Sequence, residues 1–212
     1  MLKMNNSGAI LLELKDISYP GYGPISLNLE QGSCIAIQGP SGTGKSLFLK
    51  VIADLIPHQG EKRLHGQPAS AFSAASWRSA VGLLLASGQW WEATIEQHFS
   101  VVDSRALSAL GLSSDILKQS PKQLSSGQLQ RLSLLRLLAN QPKVLLLDEP
   151  TAHLDEESSQ QVESLIKAYM QQSQAGVIWV SHNQQQVIRM AQAVYYFDQG
   201  KLRLRGEHDG GG

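Results

Sequence analysis

The octapeptide Gly39-Pro40-Ser41-Gly42-Thr43-Gly44-Lys45-Ser46 follows the apolar run Cys34-Ile35-Ala36-Ile37 and fits the spacing G-x-x-x-x-G-K-[ST]. Glycines at 39, 42 and 44 let the backbone turn with several N–H groups pointing inward. A helix starting at the end of that turn adds an N-terminus that favours an anion. The pattern therefore requires a strand, a tight loop and a helix in that order, with a phosphate cradled between them. Lys45 supplies a point charge for the β- and γ-phosphates, and the Ser46 hydroxyl suits Mg²⁺. The phosphate-binding set is Gly39, Pro40, Ser41, Gly42, Thr43, Gly44, Lys45, Ser46 and Leu47, the last at the start of the helix.

Composition narrows the partners. With 18 basic and 18 acidic residues among 212, and no long basic block, the chain lacks the positive stripe of a nucleic-acid binder, so no direct nucleic acid is expected. A 42% hydrophobic and 17% charged composition is ordinary for a soluble globular protein. No apolar run approaches the ~20 residues of a membrane helix. Cys34, the only cysteine, excludes an internal disulfide and reads as a small buried strand residue. The opening Met-Leu-Lys-Met-Asn-Asn-Ser-Gly has no hydrophobic segment of signal-peptide type, so a cytoplasmic location is expected.

Along the chain, residues 10 to 30 alternate loosely between apolar and polar around a Pro-Gly-Tyr-Gly-Pro turn at 20–24, which predicts a hairpin-like sheet. Leu47, Phe48, Val51, Ile52 and Leu55 give a helix over 45–55, ended by Pro57. Val81 to Leu85 is a strand candidate. From about 92 to 140 strand signals vanish: Thr94 with Gln97 suggests a capping box, Ser113 or Ser114 precedes a further helix, and a long helix runs from near Gly127 to Asn140. The fully apolar Val144-Leu145-Leu146-Leu147 then predicts a parallel strand covered on both faces. A helical stripe at Val162, Leu165, Ile166, Tyr169 and Met170, capped by Asp155, leads to a strand at 177–180, a short helix at 184–191 and a closing hairpin around Gln199-Gly200.

The strand at 144–147 ends in Asp148-Glu149, where a sheet presents its ligand edge. Asp148 is placed to hold the Mg²⁺ of a nucleotide, and Glu149 to polarise a water for in-line attack on the γ-phosphate. Taken alone, an acidic pair after a strand is as readily a solvated turn. The upstream phosphate loop favours the catalytic reading.

Two more segments, Leu124-Ser125-Ser126-Gly127-Gln128 opening the long helix and Ser181-His182 after a later strand, complete a series. With Leu145-Leu146-Leu147-Asp148-Glu149-Pro150-Thr151 and Ala152-His153-Leu154-Asp155, the chain resembles the nucleotide-binding domain of an ATP-binding cassette (ABC) protein over nearly its whole length. The resemblance implies an α/β fold: a P-loop NTPase core with a mainly parallel sheet, an N-terminal antiparallel β subdomain and an inserted α-helical subdomain. The expected bounds are about 10–85 and 141–206 for the core, about 87–140 for the helical subdomain and 207–212 for a flexible tail.

Carried across from the family, the signature residues Ser125, Ser126, Gly127 and Gln128 would meet the γ-phosphate of ATP held by the opposite subunit of a head-to-tail dimer. Asp155 would bridge the two sites, and His182 would contact the γ-phosphate and orient the attacking water. Tyr19 resembles the aromatic residue that stacks on adenine, with Tyr22 a competitor. The family usually carries a Mg²⁺-touching glutamine where this chain has Ala86; either Gln89 substitutes or the contact is absent. Ser126 replaces the first glycine of the commonest signature. Trp90-Trp91 offers either an apolar contact for a partner or packing between lobes.

These features imply an ATP-hydrolysing subunit using ATP and Mg²⁺, paired with a second copy or a paralogous cassette and attached to integral membrane permease subunits. The rival is a soluble ATPase of the same family acting on ribosomes or DNA. A P-loop kinase leaves the signature and the Ser181-His182 pair unexplained.

Overall fold

The computed structural model describes residues 8–85 and 88–205, so the expected tail at 207–212 and the Ala86 position lie outside the described residues. Strands β1 (Ile10–Tyr19) and β2 (Tyr22–Glu30) form an antiparallel hairpin in which Tyr19 faces Tyr22. Its turn is only Pro20-Gly21, shorter than the expected 20–24, because Tyr22, Gly23 and Pro24 already belong to β2. Strand β3 (Cys34–Gln38) runs into the phosphate loop, and helix α1 (Lys45–Ile52) follows.

Helix α1 stops three residues before the expected end, and proline is not the cause. Asp54 adopts a left-handed φ of 60°, while the N–H groups of Asp54 and Leu55 donate to Val51 O (3.1 Å) and Lys50 O (2.9 Å). That is a Schellman-type stop with aspartate in the place glycine usually takes.

The next strand explains the choice. In β4 (Gln59–Leu64) the buried Lys62 donates to Val51 O at 3.1 Å and to Asp54 Oδ1 at 2.9 Å, and lies 5.2 Å from the Trp77 ring centre. The lysine thus satisfies a helix-end carbonyl and pairs with the residue that ends the helix. Its side chain is 1% exposed against 38% for Asp54, and the ammonium beside Asp54 holds that carboxyl below its usual range. Asp54→Asn keeps the left-handed turn but leaves a buried ammonium without its counter-charge. Breaking a fully buried pair costs about 3–5 kcal/mol; discounted for the exposed partner, about 2 kcal/mol is expected, a fall in Tm of about 4–8 °C. Because the Asp54 pKa is depressed, this contribution is present above the ordinary carboxylate range and is lost as pH falls through the depressed value. Thermal melts of both proteins across acidic pH check it: the difference should close on acidification.

Strand β4 escapes sequence reading because only Lys62 and Leu64 of its six residues are buried. With β5 (Gln67–Pro68) it completes a four-stranded antiparallel sheet of order β2-β1-β4-β5. Helix α2 (Ala74–Ala80) is missed for the same reason, burying only Trp77; Ser73 caps it by accepting from the Ser76 N–H.

After β6 (Val81–Leu84) come helices α3 (Ser104–Ala109) and α4 (Ser126–Ala139), with short 3₁₀ turns and, among the described residues, no strand before β7. The capping box expected at Thr94 is only half made. The Thr94 N–H donates to Gln97 Oε1, but its buried hydroxyl has no partner, and a single 3₁₀ turn (Glu96–His98) follows. The helix expected after Ser113 or Ser114 is likewise a 3₁₀ turn, Ser114–Lys118.

Strand β7 (Val144–Asp148), helix α5 (Glu156–Ser173), strand β8 (Gly176–Val180), helix α6 (Gln184–Met190) and strands β9 (Ala193–Asp198) and β10 (Lys201–Leu204) complete the chain. The larger sheet has the order β10-β9-β3-β8-β7-β6, parallel except for β10. Its two faces bury different cores. Val144, Leu146, Ile178 and Val180 pack with α1 and the antiparallel sheet, whereas Leu145, Leu147, Val177 and Trp179 pack with α3, α4 and α5. Alternation along each strand, apolar on both sides, makes the run at 144–147 continuous.

Candidate functional site

The carboxyl ends of three adjacent parallel strands carry the candidate site: the phosphate loop after β3, Asp148-Glu149 at β7 and Ser181-His182 after β8. Ligands in open α/β sheets bind at this edge. The loop needs its glycines. Gly39, Gly42 and Gly44 have φ of 146°, 78° and 104°, and a Cβ on Gly39 would lie 2.2 Å from the Phe197 carbonyl oxygen. Helix α1 has no side-chain cap and no acidic residue in its first turn, so its leading N–H groups are open to an anion. Lys45 is 7% exposed, and its Nζ donates to Gly39 O (2.8 Å) and Pro40 O (2.7 Å). Burial pulls its pKa down, while Glu149 and Asp148 pull the other way. Thr43 Oγ1 donates to Pro40 O, and Ser46 is exposed.

Asp148 ends β7, largely buried, and its carboxylate makes no protein hydrogen bond among the described residues. Glu149 has φ of 49° and donates its N–H to Val180 O, which binds the acidic turn to the end of β8. Its Oε1 is buried and lacks a hydrogen-bond partner; His182 Nε2 lies 3.3 Å away without the alignment of a hydrogen bond. Burial raises the Glu149 pKa, with His182 opposing. A carboxylate of raised basicity, held beside a half-exposed imidazole, is suited to accept a proton from water.

The signature lies elsewhere. Ser125 caps α4, its Oγ accepting from the Gln128 N–H (3.2 Å) while Gln128 Oε1 accepts from the Ser125 N–H (2.9 Å). Ser125 and Ser126 are exposed, and Gly127 packs so closely on the turn before α5 that a Cβ would meet Leu154 at 3.0 Å and His153 O at 3.2 Å. Asp155 caps α5, accepting from the Ser158 N–H at 2.7 Å, a bond that lowers its pKa. No hydrogen bond or ion pair among the described residues joins this cluster to the phosphate loop.

Tyr19, the residue expected to stack on adenine, lies inside an aromatic cluster. It is 6% exposed, stacked on Tyr22 at 5.0 Å and on Phe48 at 6.5 Å, so aromatic neighbours occupy it in the interior. Tyr22 is partly exposed and covers the loop: a Cβ on Gly44 would fall 2.5 Å from its ring. Gln89 is exposed; its carbonyl accepts from Arg136, and among the described residues no hydrogen bond joins its side chain to Asp148 or Ser46. Of the neighbouring tryptophans, Trp90 packs against the helical core, whereas Trp91 is 70% exposed, and both lie beside the Arg136 guanidinium.

Sequence reading gave no role of their own to the Thr151 and Ser181 hydroxyls and passed over Gln186, three buried polar side chains joined through Gln186 behind the acidic turn. Thr151 and Ser181 stand within the motifs that carry Glu149 and His182, whereas Gln186 has no sequence signal.

Residues 22–152 match the ABC transporter family. A putative ABC transporter ATP-binding protein of Bacillus subtilis, YjkB, is 33% identical over 193 residues, covering 86% of this chain and 77% of that protein. The probable iron export ATP-binding protein FetA of Escherichia coli is 31% identical, covering 84% and 87%. Among solved structures, the dimeric post-hydrolysis state of the ATP-binding cassette MJ0796 bound to ADP and Pi superposes with a TM-score of 0.79, covering 91% of this chain and 96% of that one at 23% identity, a likeness of fold. On these matches and the ordered motifs, the chain belongs to the ABC transporter family.

Proposed function

We propose that the chain is the ATP-binding and ATP-hydrolysing subunit of an ABC transporter, energising transport through separate membrane subunits. The observation that carries this reading is the single sheet edge that gathers an uncapped helix N-terminus with Lys45, the acidic pair, and His182 at 3.3 Å from Glu149. The open N–H groups of the loop and the Lys45 ammonium hold the β- and γ-phosphates. Ser46 and Asp148 would hold Mg²⁺; an exposed hydroxyl and a carboxylate without protein partners fit an ion that keeps most of its waters. Bound there, Mg²⁺ neutralises charge on the phosphate oxygens. Glu149 takes the proton of the attacking water, and His182 orients that water and the γ-phosphate. Tyr22, the ring over Gly44, is the adenine platform in place of Tyr19.

Within one chain the signature neighbours the Asp155 turn and not the phosphate loop, which supports a site completed by a second copy or a paralogous cassette. Ser125 and Gly127 would then bind the γ-phosphate from across that interface, beside Ser126 and Gln128, with Asp155 bridging. Closure on ATP and reopening after hydrolysis would shift the membrane partner between its inward- and outward-facing states. No helix among the described residues is long and apolar enough to cross a membrane, so the permeation path is assigned to other subunits, with this chain on the inner face of the cell membrane. Affinity purification of the tagged chain from detergent-solubilised membranes tests it: integral membrane subunits should copurify in stoichiometric amount. Ribosomes or DNA in their place would establish the soluble rival.

A further inference from the structure

We propose that Gln186 is a positioning residue for hydrolysis, its side chain tying the segment carrying His182 to the turn carrying Glu149. The inference rests on the assignment of those two residues to the reaction. Glu149 lies on a turn with φ of 49° and His182 on a loop between β8 and α6, neither in regular structure. Their 3.3 Å approach lacks hydrogen-bond alignment and the imidazole is 51% exposed. The backbone bond from the Glu149 N–H to Val180 O ties the turn to the end of β8, and side chains behind the pair tie it to the loop that follows.

Gln186 sits in the first turn of α6, 3% exposed, with its carboxamide turned inward. Its Oε1 accepts from Ser181 Oγ and from Thr151 Oγ1, each at 3.0 Å, and its Nε2 lies 2.8 Å from Thr151 Oγ1. Ser181 immediately precedes His182, and Thr151 stands two residues after Glu149. Ser181 Oγ in turn accepts from the Asn183 N–H at 3.0 Å, and Asn183 Oδ1 caps α6 by accepting from the Gln185 and Gln186 N–H groups. His182 is thus bracketed on both sides by residues of one closed network whose far end is the acidic turn. Ser181 and Thr151 are 2% and 8% exposed, so lost bonds here have little water to replace them. A further side-chain tie nearby, the Arg189 fork on Glu163 at 2.7 Å, joins α6 to α5 and leaves the loop before α6 untouched.

A leucine at 186 keeps volume and removes every bond; a glutamate keeps the acceptor that both hydroxyls use. In the full chain, Gln186→Leu should lower kcat for ATP about tenfold, the scale of a small misplacement at a reacting centre, with the ATP Kd changed by less than about twofold. Gln186→Glu should restore most of that turnover. In a His182→Ala background, read by single-turnover hydrolysis, the effect of Gln186→Leu should shrink to within about twofold, because the residue acts through His182. An unchanged kcat in Gln186→Leu, failure of the glutamate to restore it, or a tenfold effect that persists without His182 overturns the proposal. Should the leucine variant not fold, Thr151→Val removes one arm of the bracket and is held to the same cycle. Wild-type hydrolysis in both Glu149→Gln and His182→Ala would instead overturn the underlying site assignment, whatever Gln186 does.

Discussion

Glu149→Gln is expected to abolish turnover while leaving ATP binding intact. Glutamine keeps the shape of the side chain and tolerates the turn as glutamate does, but it cannot accept the proton of an attacking water. Loss of a positioned general base costs on the order of 10²–10⁴ in rate. Nothing in the phosphate cradle changes, since the open helix start and Lys45 do not depend on Glu149 for a hydrogen bond. The substitution also removes a negative charge next to Asp148, beside the position assigned to the γ-phosphate, so the ATP-bound state should become longer-lived. Size-exclusion chromatography with ATP and Mg²⁺ should therefore show a stable dimer for the variant and little for the wild type. Hydrolysis at an undiminished rate would remove Glu149 from the reaction.

The acidic pair was legible in the sequence because its strand is. A run of four apolar residues at 144–147 must alternate between two buried faces, and the only way such a strand ends usefully is at the ligand edge, where Asp148 and Glu149 stand. The phosphate loop was legible for a similar reason, each glycine answering a backbone angle or a close approach. What could not be read depends on contacts between distant segments. Tyr19 and Tyr22 are three residues apart in the same hairpin, and only the packing of Phe48 and Gly44 against them separates the buried ring from the one over the loop. Strand β4 looks like a charged loop until Lys62 is seen capping α1 and pairing with Asp54. Gln186 looks like one of three surface glutamines in a row, and its partner Thr151 is 35 residues away. Polar residues that fold inward carry no periodic signal, so a hydropathy pattern passes over them.

Lys45→Ala should fail one step earlier, at binding. The lysine is already desolvated and aimed into the loop, with its ammonium held by the carbonyls of Gly39 and Pro40 at 2.8 and 2.7 Å. Much of the cost of burying the charge is thus borne by the folded loop, and exchanging those carbonyls for phosphate oxygens replaces neutral acceptors by charged ones. A hydrogen bond to a charged group is worth about 1.5–3 kcal/mol, so the ATP Kd should rise by roughly ten- to a hundredfold. Lys45→Arg should not rescue it, because the forked guanidinium cannot occupy a pocket sized for one ammonium between two carbonyls. The measurement that separates this variant from Glu149→Gln is the rise of Tm with ATP. Ligand stabilisation grows with the ratio of free ATP to Kd, so Glu149→Gln should keep the wild-type shift while Lys45→Ala loses most of it at the same ATP concentration. An unaltered shift in Lys45→Ala would mean that the backbone cradle binds phosphate without the lysine, and its charge would then have to act in the chemical step alongside Glu149.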